Sequence, residues 1–259
     1  KEELVDRLEK DLLKIVSPFK DKTIWYRTLD APTDEFRHLP GGENEPKEDN
    51  PMLGWRSIRR SLDQPELLKA EYEAIKQVHE AGYTKLGIMI PLVTHVKQVS
   101  EAKRIFKETT GLEPCKDIDF GIMIETPASV MIIEELCKEG ISFASIGSND
   151  LTQFTLACDR NSAKVAKLYD EMHPAVTRLI KRVLRTCHHY GVKTSICGQA
   201  ASNPDMVKKL IWMGIDSVSA NIDAVENIRN VVMLEEKKRI LQLLTKADHK
   251  GFFNKLFGK

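Results

Sequence analysis

Glu125 and Asp150 are the side chains best placed to do chemistry. Each follows a short apolar run: Phe120-Gly121-Ile122-Met123-Ile124 leads into Glu125-Thr126-Pro127, and Phe143-Ala144-Ser145-Ile146 leads into Gly147-Ser148-Asn149-Asp150. Such runs read as buried strands, so each carboxylate falls at a strand's C-terminal end, where parallel α/β proteins place their chemistry. Adjacent parallel strands lie about 5 Å apart, so both carboxylates can reach one cation. Two hard oxygen ligands with room for water and substrate suit Mg²⁺ or Mn²⁺. The competing reading is that Glu125 pairs with an arginine and Asp150 caps the next helix.

Arginines surround the pair. Arg27 and Arg56 fall at the ends of their own short segments, and Arg160 follows the Asp150 turn. Several guanidiniums aimed at one cavity call for a phosphate or carboxylate ligand, although any one alone is more often a surface salt bridge. Cys197 ends a further run and precedes Gly198, which allows close approach. A thiol there can shuttle a proton, its ordinary pKa of about 8.5 being tunable by nearby charge; the alternative is inert packing. Cys115, Cys137, Cys158 and Cys187 read as packing or loop residues. His173 precedes Pro174 at a helix start as a capping or loop residue, and His188-His189 sits at a helix C-terminus, where positive charge is favourable.

The elements that position these residues alternate. Residues 1–16 have helical spacing, ended by Pro18; residues 23–29 read as a strand and 31–51 as a long Pro-, Gly- and charge-rich loop of the kind that is often functional. Residues 52–56 read as a brief strand or turn. Strands follow at 85–91, 119–127, 141–147, 192–197 and 215–220, with helices at 65–81, 95–109, 128–139, 174–190, 204–213 and 224–247. That makes seven strand candidates in βα units, hence a parallel sheet. Polar residues recur at almost every strand end, which predicts a (β/α)8 TIM-type barrel over an open doubly wound sheet. Short linkers and no composition break predict one domain over 1–259. The tail GFFNKLFGK carries Phe252, Phe253, Leu256 and Phe257 on one helical face, for core packing or a subunit contact.

Gross composition narrows the partners. With 259 residues, 42% hydrophobic, 30% charged and a net charge of +1, the chain reads as globular, with no bias toward nucleic acid or an anionic membrane. No apolar run approaches the ~20 residues that span a bilayer, and the charged start KEELVDRLEKDL is not a signal peptide. Five cysteines without a CxxC predict a reducing cytoplasm rather than a disulfide framework. The chain starts at Lys1 and is read as a piece of a longer protein.

Five motifs in order carry a resemblance: Trp25-Tyr26-Arg27-Thr28-Leu29-Asp30, Asp49-Asn50-Pro51-Met52-Leu53-Gly54-Trp55-Arg56, Gly121-Ile122-Met123-Ile124-Glu125-Thr126-Pro127, Ser145-Ile146-Gly147-Ser148-Asn149-Asp150-Leu151-Thr152-Gln153 and Ile196-Cys197-Gly198-Gln199. Together they resemble the C-terminal barrel of the phosphoenolpyruvate-utilising enzymes, over a core of residues 22–224 with 225–259 as a helical extension. Gly41-Gly42-Glu43, Asn50-Pro51-Met52-Leu53-Gly54 and Cys197-Gly198-Gln199 look like the phosphoenolpyruvate synthase (pyruvate, water dikinase) branch; Ser57-Ile58-Arg59 is closer to enzyme I of the sugar phosphotransferase system.

The resemblance implies that Glu125 and Asp150 hold Mg²⁺ against pyruvate. It implies that Arg27, Arg56, Arg160 and Asn149 bind the phosphoryl group, and that Cys197 is the acid/base at the methyl carbon. The phosphoryl group would pass between phosphoenolpyruvate or pyruvate and a phosphohistidine on a mobile domain. Two departures stand out: the family's opening barrel strand, with one more phosphate-binding arginine, is missing, as are the phosphohistidine and ATP-binding domains. A homodimer is expected from the family. The alternatives are an enzyme I barrel, a non-catalytic phosphoenolpyruvate-sensing module, and a Mg²⁺-dependent aldolase or lyase on a related barrel.

Overall fold

A computed structural model describes residues 2–256, with side chains over 2–245. Apolar, β-branched and aromatic runs form six strands: β1 (Ile24–Arg27), β2 (Leu86–Ile90), β3 (Phe120–Ile124), β4 (Phe143–Gly147), β5 (Lys193–Cys197) and β6 (Ser217–Val218). All are parallel, and each pairs with the next in sequence. The helices are α1 (Glu2–Val16), α2 (Thr33–Arg37), α3 (Ser57–Asp63), α4 (Pro65–Glu80), α5 (Val96–Thr110), α6 (Pro127–Met131), α7 (Ile133–Lys138), α8 (Ser148–Leu156), α9 (Pro174–His189), α10 (Pro204–Met213) and α11 (Val225–Leu256). A doubly wound sheet must reverse strand order somewhere; this one never does. Right-handed crossovers in unbroken order put every connecting helix on one face, so the sheet is an arc of a (β/α) barrel.

Period-two alternation then sorts the strand residues. Ile88, Ile90, Ile122, Ile124, Ala144 and Ile146 are fully buried and alternate with the residues of the concave face. Trp25 stacks on Phe143 with ring centroids 3.8 Å apart, and Gly87 and Gly121 make room, since a Cβ at either would strike Trp25 or Phe143. Above that layer the same alternation delivers Arg27, Met123, Glu125, Gly147 and Cys197 to a single cavity.

Three expectations need correction. Residues 52–56, read as a brief strand or turn and counted among the strands, are a turn: Pro51–Leu53 forms a 3₁₀ turn, Gly54 and Trp55 bend, and Arg56 is the N-cap of α3. Pro51 lacks a ladder donor, so the described residues supply six strands rather than seven. The long loop is also structured. It contains α2, and Glu48 accepts hydrogen bonds from Thr33 Oγ1 (2.8 Å) and the Trp55 amide (2.9 Å). Arg60 pairs with both oxygens of Glu45 while its guanidinium lies 4.0 Å from the Phe36 ring centroid and 4.5 Å from that of Trp55. The strand expected over 215–220 shortens to Ser217–Val218. Helix α11 packs on α10 through Ile228 against Val207 and Ile211; the aromatic face expected at Phe252, Phe253, Leu256 and Phe257 lies outside the described side chains. Among the described residues no helix is long and apolar enough to cross a membrane.

The end of β1 is held by a buried carboxyl. Glu71 of α4 accepts from Tyr26 Oη (2.7 Å) and the Leu29 amide (2.9 Å), while its other oxygen is buried without a partner. Burial pushes this carboxyl up to about 7 from 4.5. A folded state that binds the proton more tightly gains stability that is full below the unfolded value and lost as pH rises through the folded one. Glu71→Gln should therefore flatten the loss of stability between pH 4.5 and 7. Urea denaturation at pH 8 should show the variant gaining on the order of 3 kcal/mol relative to its standing at low pH.

Candidate functional site

A cavity of about 340 Å³ opens at the C-terminal ends of the strands, and Arg27, Arg56, Glu125, Asn149, Asp150, Arg160 and Cys197 all line it. The seven residues singled out in the sequence thus converge. Glu125 leaves the end of β3 and is 2% exposed; Asp150 stands in the first turn of α8 and is 6% exposed. A Cβ at Gly147 would sit 2.6 Å from Glu125 Oε2, so only glycine lets this carboxylate cross β4.

Asp30 is the residue that sequence reasoning left out of the site. Its side chain is almost wholly buried, and its Oδ1 accepts from Arg56 Nε (3.0 Å) and Nη2 (2.7 Å). Arg27, about half exposed, reaches Asp30 Oδ2 at 3.1 Å. Arg56 Nη1 lies 3.5 Å from Asp150 Oδ2. Arg56, itself buried, therefore bridges two carboxylates and is presented from the loop that precedes α3, not from a strand end. Arg160 Nη1 stands 3.3 Å from Asp150 Oδ1. That distance suits an ion pair, but neither atom has a hydrogen-bond partner of proper geometry.

Among the described residues Asp30 and Asp150 are paired with arginines and Glu125 is not. Glu125 accepts from the Leu92 amide, yet burial, with Asp30 and Asp150 beside it, pushes its carboxyl up to about 8. A carboxyl raised by burial and by like charges beside it is one that a nearby cation would return to its charged form. Asp150 Oδ1, buried without a hydrogen bond, is the matching orphan acceptor. Among the described residues no three His, Cys, Asp or Glu side chains form a metal cage. A two-carboxylate site that leaves the other positions to water and substrate agrees with both observations.

Cys197 faces the carboxylates from β5. Its Sγ is 3.9 Å from Ser145 Oγ and 3.6 Å from the Ile146 carbonyl. Burial is the largest cause raising its pKa, with the charges of Glu125 and Asp150 adding to it, so the thiol holds its proton at neutral pH and is poised as a donor. Gly198 follows at φ +87°, and a Cβ there would meet Ser148 Oγ at 2.5 Å. Asn149 Oδ1 accepts from the Gln199 amide (2.9 Å), so the asparagine expected to meet substrate also braces the cysteine turn. Sequence reasoning missed Glu171 as well, which accepts from Ser148 Oγ and the Ala200 amide. It lies in an irregular segment with no periodicity to flag it.

Removing Asp30 leaves Arg56 buried with the longer contact to Asp150 and a bond to the Met52 sulfur. Asp30→Ala should cost about 3 kcal/mol in urea denaturation; a loss below about 1 kcal/mol, the range of an exposed pair, would show that this ion pair is not what holds the loop to the sheet.

The family described as PEP-utilising enzyme, PEP-binding domain matches residues 2–237. The phosphoenolpyruvate synthase of Pyrococcus furiosus is 61% identical over 92% of this chain, which covers 29% of that protein. A probable phosphoenolpyruvate synthase of Methanocaldococcus jannaschii is 58% identical over 95% of this chain and 21% of its own length. A phosphoenolpyruvate-protein phosphotransferase of Buchnera aphidicola is 36% identical over 90% of this chain and 41% of its own length. The chain thus spans less than half of each of these curated relatives.

Proposed function

Since the chain belongs to the PEP-binding domain family of the PEP-utilising enzymes, we propose that it is the catalytic barrel of a phosphoenolpyruvate synthase-like phosphotransferase, the part that interconverts pyruvate and phosphoenolpyruvate. The convergence of all seven residues on one cavity carries the reading. The difference between 61% identity to a synthase and 36% to a phosphotransferase favours the synthase branch. Five free thiols support a reducing cytoplasm as its setting.

Glu125 and Asp150 would hold a divalent cation, Mg²⁺ or Mn²⁺, because that charge relieves both the raised Glu125 carboxyl and the unpartnered Asp150 oxygen. When bound, the cation supplies Lewis-acid stabilisation of the negative charge that develops on pyruvate oxygen. Arg27, half exposed, can leave Asp30 for a phosphoryl oxygen, while Arg56 stays in its buried pair and lends positive charge. Arg160 and Asn149 close the rim. A phosphoryl group would leave a histidine nitrogen on another domain of the longer protein and join the enolate oxygen, or run the reverse course. Where pyruvate is the product, the Cys197 thiol gives its proton to the methylene carbon; in the other direction the thiolate takes it back.

Exchange of the pyruvate methyl protons with D₂O, followed by NMR in the presence of Mg²⁺, tests this chemistry without the phosphoryl donor. Cys197→Ala should lower the rate by at least about a hundredfold, and EDTA should abolish exchange. Unaltered exchange in Cys197→Ala would overturn the proton assignment. In the full-length protein, AMP and phosphate release should accompany pyruvate consumption; transfer to a carrier protein instead would move the chain to the phosphotransferase branch.

A further inference from the structure

The cysteine turn is fastened from outside the strand that carries it. Cys197 itself makes only long sulfur contacts, 3.9 Å to Ser145 Oγ and 3.6 Å to the Ile146 carbonyl. The next residue, Gly198, adopts φ +87° and gives the turn freedom that something must remove. Glu171, from the irregular segment before α9, supplies the restraint. Its Oε1 accepts from the Ala200 amide at 3.1 Å, from Ser148 Oγ at 3.2 Å and from Tyr169 Oη at 3.5 Å. Ser148 Oγ in turn lies 2.8 Å from the Cys197 carbonyl. Its one proton is shared between that carbonyl and Glu171. The Gln199 amide is tied to Asn149 on the same side, so Cys197, Gln199 and Ala200 are each held to α8, directly or through Glu171.

No described cation pairs with Glu171, and burial is the largest cause raising its carboxyl pKa. A half-buried carboxylate with no ion pair earns its place as an acceptor. We infer that Glu171 is a positioning residue: it locks the Cys197-Gly198-Gln199-Ala200 turn onto α8 and so fixes where the thiol stands in the cavity. The role deepens the proposed function, since it acts through Cys197 as proton donor. It calls for an oxygen acceptor rather than for a charge, and the conservative variant separates the two.

The experiment compares Glu171→Ala and Glu171→Gln in two assays at one pH. In Mg²⁺-dependent exchange of pyruvate methyl protons, Glu171→Ala should lower kcat about tenfold, the worth of one hydrogen bond to a charged acceptor, with KM for pyruvate nearly unchanged. Glu171→Gln, which keeps the acceptor oxygen, should restore kcat to within about twofold of wild type, a change smaller than one neutral hydrogen bond is worth. In alkylation by iodoacetamide, read residue by residue by mass spectrometry, Glu171→Ala should speed modification of Cys197 about tenfold by the same hydrogen-bond measure, while the buried Cys137 and Cys187 remain protected.

Equal gains at Cys137 and Cys187 would mean general loosening and would overturn the role. So would a Glu171→Gln variant as impaired as Glu171→Ala, or a Glu171→Ala variant unchanged in alkylation. If wild type shows no exchange at all, the proton-transfer reading fails, and the alkylation arm still decides whether the clamp exists. Glu171 is only partly buried, so its truncation leaves no sealed void to unfold the chain.

Discussion

Arg56 and Asp30 form the buried ion pair around which the cavity is arranged. Removing either alone is costly, because the survivor keeps only one further charged partner, Arg27 for Asp30 and Asp150 for Arg56. Arg56 arrives from the loop before α3 and Asp30 from just beyond β1, so the pair staples loop to sheet. Having done so, Arg56 also faces Asp150, while Arg27 reaches Asp30 and Arg160 reaches Asp150; Glu125 has no such pair among the described residues, and its charge is the surplus. The surplus appears as the raised Glu125 carboxyl and the unsatisfied Asp150 oxygen. In the proposed function a divalent cation between Glu125 and Asp150 would relieve both.

The thiol obeys the same economy in a different way. Burial and the two neighbouring carboxylates keep Cys197 protonated, whereas reactive thiolates sit beside cations or helix N-termini. In the proposed chemistry Cys197 gives a proton to carbon in one direction and takes it back as thiolate in the other, so it needs a proton it can give and regain and a fixed direction. The proton comes from the environment and the direction from the turn, which Asn149, Ser148 and Glu171 hold.

What could be read from the amino-acid order was whatever repeats locally. Glu125 and Cys197 each close an apolar run, and a two-residue period places them on one face once the runs become parallel strands; Asp150 follows in the first turn of the helix after β4. Asp30 could not be assigned that way, because its role depends on Arg56, 26 residues distant across an irregular loop. Glu171 was hidden for the same reason. Residues 52–56 look strand-like in composition, but Pro51 and Gly54 divert the backbone, and the ordering of the whole 31–56 stretch comes from Glu48, Glu45 and Arg60, polar side chains whose partners no period reveals. The final strand is shorter than its composition suggests: only Ser217 and Val218 pair with β5, while Ile215 and Ala220 line a cavity beside α11.

Because each strand pairs only with its immediate forerunner, the sheet can be laid down in the order of synthesis, every new βα unit docking on a surface already present. The charged groups, however, come from positions as far apart as Arg27 and Cys197. Early units can pack while Glu125 is still hydrated, and its desolvation begins only when β4 and α8 seal it in. In that order the electrostatic burden of the cavity falls midway, once the first three strands are paired and before β5 and β6 dock.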